Sequence, residues 1–124
     1  MARIGLVDLD TSHAVAWLPV LRDLGAEVTA VHDHGEIFPP GYAVHFARKH
    51  GIPHAPAHIE DMVPLVDGVL CLGANWDVHL DRALPFLEAG IPVYIDKPIV
   101  GNVRDLDRFL TLARGGARLT GGSA

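Results

Sequence analysis

The sequence has few of the residues on which disulfide-stapled or membrane-spanning proteins depend. Its 124 residues include a single cysteine, Cys71, so no disulfide framework can form within the chain. Its apolar runs are interrupted and of strand length, far short of the ~20 residues that a membrane helix needs. The chain passes directly from Met1-Ala2-Arg3 into an apolar run, without the core of a secretory signal. These absences predict a cytoplasmic protein without a membrane anchor.

Positive charge is also scarce. Ten lysines and arginines stand against fifteen aspartates and glutamates, which gives a formal net charge of −5. The basic residues are scattered, which argues against nucleic acid as a partner. A hydrophobic fraction of 49% and a mean hydropathy of +0.24 are typical of a globular domain with a sizeable core. At this length the sequence predicts one domain over residues 1–124.

Apolar runs of strand length alternate with segments of helical spacing, which favours an α/β fold with a doubly wound, parallel sheet of Rossmann type. Glycines at positions 25, 51 and 90 end predicted helices. In the last helix we expect a buried apolar stripe of Leu106, Phe109, Leu110 and Ala113. The sequence predicts six strands, at residues 4–7, 27–33, 52–54, 69–73, 91–95 and 117–120.

A charged segment, Asp96-Lys97-Pro98, directly follows the fifth predicted strand. Ligands of open parallel sheets sit at the carboxyl ends of strands, so this segment is a candidate site. Together with the preceding Leu87-Glu88-Ala89-Gly90, and with Asn75 and His79 after the strand before it, the segment resembles the nucleotide-binding half of the Gfo/Idh/MocA oxidoreductases. The resemblance covers nearly the whole chain, and it depends on the combination of these pieces.

The resemblance implies a strand order of 3-2-1-4-5-6, NAD or NADP as cofactor, and a small-molecule substrate. It implies that Lys97 lies near the reacting carbon and tunes proton transfer, with a cis bond to Pro98, and that His79 belongs to the catalytic group. It places cofactor contacts at positions that we list here: Asp8, Asp10, Thr11, Ser12, His13, Asp33, Asn75, Asp96 and Pro98.

In the family, a segment like Gly121 to Ala124 leads into a second, sheet-rich domain. That domain supplies most of the substrate pocket, an acid–base histidine and the oligomer interface. We expect the sequence in hand to lack it, and whether the chain is an enzyme by itself therefore stays open. Without the second domain the sheet would expose apolar surface and an open strand edge, so we expect a homodimer or a complex with another chain.

The loop after the first strand departs from the dinucleotide-binding pattern. Asp8, Asp10 and His13 stand at the three glycine positions of Gly-x-Gly-x-x-Gly. A carboxylate about 4 Å from a phosphate costs roughly 1–4 kcal/mol, depending on the effective dielectric, so we expect cofactor binding in the usual pose to be impaired. Asp33 follows the second strand where the ribose-binding acid belongs, although a solvated loop carboxylate is an equal interpretation.

Several interpretations of the site remain open. Asp8, Asp10 and His13 could bind a divalent cation, or, as we favour, satisfy the N-terminus of the first helix, where Thr11 or Ser12 is a natural N-cap. Lys97 could instead form an ion pair with Asp96. The remaining histidines show no zinc-binding pattern and are predicted to be ordinary surface residues.

Three functions follow. The first is an NAD(P)-dependent oxidoreductase-like domain that needs a partner. The second is a non-redox binding module on the same scaffold. The third is a small stand-alone enzyme that performs acid–base or metal-assisted chemistry in a remodelled crevice, lined by Asp8, Asp10, His13, Asn75, His79 and Lys97.

Overall fold

The architecture is seen in a computed structural model that describes residues 1–122; Ser123 and Ala124, part of the segment expected to lead into a second domain, lie outside the described residues. The sheet has five parallel strands in the order β2-β1-β3-β4-β5. The strands are β1 Arg3–Val7, β2 Glu27–His32, β3 Gly68–Cys71, β4 Val93–Asp96 and β5 Leu119–Gly122. The helices are α1 His13–Asp23, α2 Tyr42–His50, α3 His79–Glu88 and α4 Val103–Arg114, with a 3-10 helix at Ile59–Leu65.

The doubly wound fold is confirmed, but the prediction of six strands is wrong. Residues 52–54 make a single parallel bridge, from His54 to Ala30 on the free edge of β2. The two hydrogen bonds there are His54 N–H to Thr29 O (3.1 Å) and Val31 N–H to His54 O (3.0 Å). Pro53 has no N–H to continue a ladder, which confines this segment to a bridge at the sheet edge. The segment still occupies the place that the predicted strand order assigns to a third strand.

The sheet is covered on both faces, as a parallel sheet requires. Alternate residues of β1 point to opposite faces, so Leu6 lies in the core beneath α1 and α2 while Val7 lies in the core beneath α3 and the 3-10 helix. Both residues are fully buried. Gly25 and Gly51 end α1 and α2 with φ of 83° and 70°, a left-handed conformation that glycine adopts without a steric cost.

The expectation for the last helix is wrong in its orientation. Leu106 and Leu110 remain 46% and 39% exposed, and Val103 is 82% exposed. The buried residue of α4 is Asp105, whose backbone N–H donates to the Asn102 side chain at 2.8 Å, which confirms Asn102 as the N-cap. Asp105 faces the body of the protein and Phe109, one turn later, is half-buried, whereas Leu106 and Leu110 face outward.

Among the described residues, no helix is long and apolar enough to cross a membrane.

Candidate functional site

The carboxyl ends of β1, β3 and β4 meet at one edge of the sheet and bring most of the predicted site residues together. Asp8 follows β1, Asn75 lies in the loop after β3, and Asp96 ends β4 with Lys97 directly after it. The β2 end contributes Asp33 to the same edge. This edge is the topological switch point at which doubly wound folds bind their ligands.

Asp8, which stands at a glycine position of the dinucleotide-binding pattern, has a left-handed backbone conformation. It is the only non-glycine among the described residues with a positive φ, 66°, a conformation that costs an L-residue roughly 1–2 kcal/mol. Its side chain is buried and does not project from the loop. One oxygen accepts hydrogen bonds from the His34 ring (2.7 Å) and the His34 backbone N–H (3.0 Å), and the other accepts from Arg82 at 2.6 Å. The turn of the loop is therefore preserved, and the new charge is paired inside the protein.

The electrostatics of Asp8 follow from these contacts. Burial by itself would raise the pKa of Asp8, but the hydrogen bonds and charges of His34 and Arg82 outweigh burial and lower it. Asp8 is thus ionised in the folded protein. Neither Asp8 nor Asp10 hydrogen-bonds to α1, and Ser12, which precedes the helix, makes no capping hydrogen bond. The predicted capping role of the carboxylates is therefore not seen.

Arg82, on α3, links the loops after β1 and β2. It extends from α3 to Asp8 and, with its second terminal nitrogen, to Glu36 in the loop after β2 (2.7 Å). Asn75 also donates to Glu36, at 3.4 Å. Sequence reasoning did not find Arg82, Glu36 or His34, because a charged residue that pairs 74 positions away looks like part of a solvated surface. The crevice between the β1 and β3 ends is thereby bridged by the protein's own side chains.

Asp10 is the carboxylate that the structure leaves uncompensated. One oxygen accepts a hydrogen bond from the Ala74 backbone N–H at 2.9 Å. The other oxygen is buried and has no hydrogen-bond partner among the described residues. Burial raises the pKa of Asp10; the Ala74 hydrogen bond opposes this, and the neighbouring charges of Asp8, Asp33 and Glu36 raise the pKa further.

We expect Asp10→Asn to stabilise the fold by up to about 1 kcal/mol at neutral pH, since the amide keeps an acceptor for Ala74 and removes the repelled charge. Because the pKa of Asp10 is raised in the folded state, its charge destabilises the fold fully above that pKa. The destabilisation vanishes below the pKa that Asp10 has in the unfolded chain. Urea denaturation of both proteins at neutral and acidic pH measures the difference. The exposed Asp61→Asn serves as control, and a stability loss at neutral pH confined to Asp10→Asn would refute the assignment.

Asp96 and His13 form the second polar cluster of the edge. The His13 ring lies 2.5 Å from one oxygen of Asp96, and the Lys97 backbone N–H donates to the other at 2.8 Å. The Lys97–Pro98 bond is cis, as the resemblance implied. Lys97 itself is exposed, and among the described residues its side chain forms no salt bridge. The alternative ion pair with Asp96 is not formed, because His13 occupies that carboxylate.

His79, which we expected in the catalytic group, is buried and does not lie at the exposed surface of the crevice. It is 1% exposed, and both ring nitrogens face backbone carbonyls: Nε2 lies 2.6 Å from Gly73 O, and Nδ1 lies 3.0 Å from Pro98 O. His79 thus ties the segment after Lys97 to the end of β3. This geometry is that of a positioning residue.

The other predicted contacts are only partly assembled. Asp33 accepts backbone hydrogen bonds from Leu9 (3.0 Å) and Gly35 (3.3 Å), so it bridges the β1 and β2 loops. Thr11 accepts from the His13 backbone N–H at 3.3 Å. Within residues 1–122, no three His, Cys, Asp or Glu side chains converge as they would to hold a metal ion. Asp8, Asp10 and His13 point to three different partners, which does not support the metal interpretation.

Comparisons with known proteins agree with this architecture. No family model matches the chain. A protein described as a UDP-kanosamine synthase oxidoreductase subunit, from Amycolatopsis mediterranei, is 30% identical over 123 residues, which cover 98% of this chain and 33% of that protein.

Solved structures match at the level of fold and sequence. An oxidoreductase from Thermotoga maritima is 26% identical, with a TM-score of 0.79 over 97% of this chain and 36% of its own. A Gfo/Idh/MocA family oxidoreductase from Vibrio cholerae is 25% identical, with a TM-score of 0.79 over 98% of this chain and 38% of its own. The chain thus spans about a third of the length of the relatives it matches. The chain has a Rossmann fold and is similar to the N-terminal domain of Gfo/Idh/MocA-type oxidoreductases.

Proposed function

We propose that this domain is the nucleotide-binding part of an NAD(P)-dependent oxidoreductase and acts together with a second domain or subunit. The observation that carries the proposal is the Asp96-Lys97-Pro98 segment, which lies at the carboxyl end of β4 on the same edge as Asp33 and Asn75. Lys97 is exposed there, within reach of a ligand bound at the edge. The relative named as an oxidoreductase subunit makes a UDP-sugar a first candidate substrate class.

The ribose end of the site fits a dinucleotide. Asp33 is half-buried at the end of β2, and its two oxygens accept backbone hydrogen bonds that hold the carboxylate in a fixed orientation. Each carboxylate oxygen can accept a further hydrogen bond, so Asp33 would hold the ribose hydroxyls. Bound there, the cofactor would supply hydride chemistry near Lys97, and the chain's own residues would bind and orient it.

The phosphate end fits less well. Asp8 no longer opposes a phosphate by a full charge, because Arg82 and His34 pair with it. Asp10 does oppose one, since its buried oxygen has no partner among the described residues. We therefore expect a dinucleotide to bind, and Asp10→Asn to tighten binding by about fivefold, the equivalent of roughly 1 kcal/mol.

The test is a titration with NADH and with NADPH, followed by energy transfer from Trp17 and Trp76 to the nicotinamide and checked by calorimetry. Saturable binding at micromolar concentration, tighter in Asp10→Asn than in Asp61→Asn, supports the proposal. Absence of binding up to millimolar cofactor in both variants rejects it.

A second candidate is a non-redox binding module. The observation that favours it is the Arg82 bridge, because Glu36, Asn75 and Arg82 close the crevice that a dinucleotide would enter. If the bridge stays closed, neither NADH nor NADPH binds, and the same titration decides between the two candidates.

The expected partner has a surface to bind. The exposed stripe of α4 (Val103, Leu106, Leu110) and the free edge of β5 follow one another in the chain and remain uncovered among the described residues. A homodimer or a complex with another chain would cover both. Light scattering of the wild type and of a Leu106→Glu/Leu110→Glu variant tests the homodimer: a dimer that the variant loses supports it. We also propose the cytoplasm as the compartment, in keeping with a single buried thiol, Cys71.

A further inference from the structure

Two residues far apart in the sequence form a pair at the sheet edge. His13 begins α1 and Asp96 ends β4, 83 positions later, and Nδ1 of His13 lies 2.5 Å from Oδ2 of Asp96. The Asp96 side chain is 6% exposed, whereas the His13 side chain is 33% exposed. The carboxylate is therefore part of the interior, and the imidazole is partly exposed at the sheet edge.

Asp96 is fixed from two sides. Its second oxygen accepts the Lys97 backbone N–H at 2.8 Å, so the carboxylate cannot turn away from His13 without losing that bond. An ionised carboxylate can only accept hydrogen bonds, so Nδ1 of the neutral imidazole must carry the proton. Nε2 is then left with its lone pair, and no group of residues 1–122 hydrogen-bonds to it.

We propose that His13 is a proton acceptor for a hydroxyl-bearing small molecule in the crevice, with Asp96 as its positioning residue. When the ligand O–H bond breaks, the proton passes to Nε2, and the Asp96 carboxylate balances the charge of the imidazolium that forms. Lys97, the residue after Asp96, is exposed beside the pair and can stabilise the oxyanion left on the ligand. This assignment requires only that the crevice binds a ligand, and it holds whether or not that ligand is a dinucleotide.

The tautomer of His13 tests the pair directly. In long-range ¹H–¹⁵N correlation spectra at a pH where the ring is neutral, His13 should show the Nδ1–H form alone. Asp96→Asn replaces one acceptor by an amide donor, so the single form should be lost in that variant while the exposed His58 keeps its spectrum. A His13 ring that interconverts between both tautomers in the wild type would overturn the assignment.

Reactivity tests whether Nε2 is presented to a ligand. Diethyl pyrocarbonate, followed by peptide mass mapping, should modify His13 several-fold faster than His58, and Asp96→Asn should abolish that advantage. Lys49→Ala, at an exposed lysine of α2 outside the pair, should leave the rate of His13 modification unchanged. A His13 that is slower than His58 in the wild type would show that the pair is purely structural. Because neither readout involves NADH, failure here is separable from failure of the cofactor titration.

Discussion

Replacing Arg82 by alanine is expected to destabilise the protein by about 3–5 kcal/mol, more than any other single change at the site. Arg82 is 13% exposed and pairs with Asp8, whose side chain is 2% exposed. Removal of the guanidinium leaves an ionised carboxylate in the interior with only His34 beside it. Equilibrium denaturation in urea, monitored by far-UV circular dichroism, measures the loss.

Two variants make the cause identifiable. Arg3 pairs with Asp67 on the surface, where the two side chains are 45% and 49% exposed, so Arg3→Ala should cost far less than Arg82→Ala. Asp8→Gly in the Arg82→Ala background removes the orphaned charge and relieves the φ of 66°, so it should recover much of the loss. A double variant that is no more stable than Arg82→Ala would show that the loss is one of packing.

The pH dependence of stability should differ between the two proteins. In the wild type the pKa of Asp8 is lowered, so its pairing stabilises the fold above the unfolded pKa, and this contribution is lost as pH falls through the folded value. Without Arg82, only His34 opposes the effect of burial, so the pKa of Asp8 should be higher than in the wild type. The deficit of Arg82→Ala relative to wild type should therefore shrink as the pH falls, and a deficit independent of pH would contradict the pairing.

His79→Phe is expected to cost about 1–3 kcal/mol, because at least one of the carbonyls of Gly73 and Pro98 would lose a buried hydrogen-bond donor. The ring size is nearly conserved, so the loss reports hydrogen bonding rather than volume. The loop after Lys97 should loosen as well, which proteolysis or amide exchange of residues 97–101 would detect. Trp76, which packs on Gly101, offers a fluorescence probe of the same loop.

The control for His79 is the exposed His58→Phe, which should change stability by no more than about 0.5 kcal/mol. If His79→Phe is as stable as the wild type and the loop is unchanged, the positioning role fails. A direct catalytic role would then be the remaining interpretation of His79.

The fold was largely predictable because its signals are local. Apolar runs of strand length and glycine stops indicated β1 to β5 and the helices between them. The errors arose where the outcome depends on how a segment packs against the rest of the protein, which the local sequence pattern does not indicate. Pro53 turned a predicted strand into a single bridge, and the apolar periodicity of α4 revealed a stripe without revealing which side of the helix faces the sheet.

The position of the site could be predicted from the sequence, but the contacts between its side chains could not. Topology alone puts the ends of β1 and β4 at one edge, so Asp8, Asp96 and Lys97 were expected there. Which carboxylate is neutralised depends on partners such as Arg82, far along the chain, and no spacing rule connects them. The sequence predicts that both Asp8 and Asp10 repel a cofactor phosphate, but in the structure only Asp10 lacks a compensating partner among the described residues.

We propose that this sheet edge binds a dinucleotide despite the charge of Asp10. The most direct test is the NADH affinity of the wild type beside that of Asp10→Asn, measured by calorimetry at one salt concentration. We expect saturable binding in both proteins, about fivefold tighter in the variant. If neither protein binds NADH up to millimolar concentration, dinucleotide binding at this edge is rejected. The crevice bridged by Arg82 is then that of a non-redox binding module.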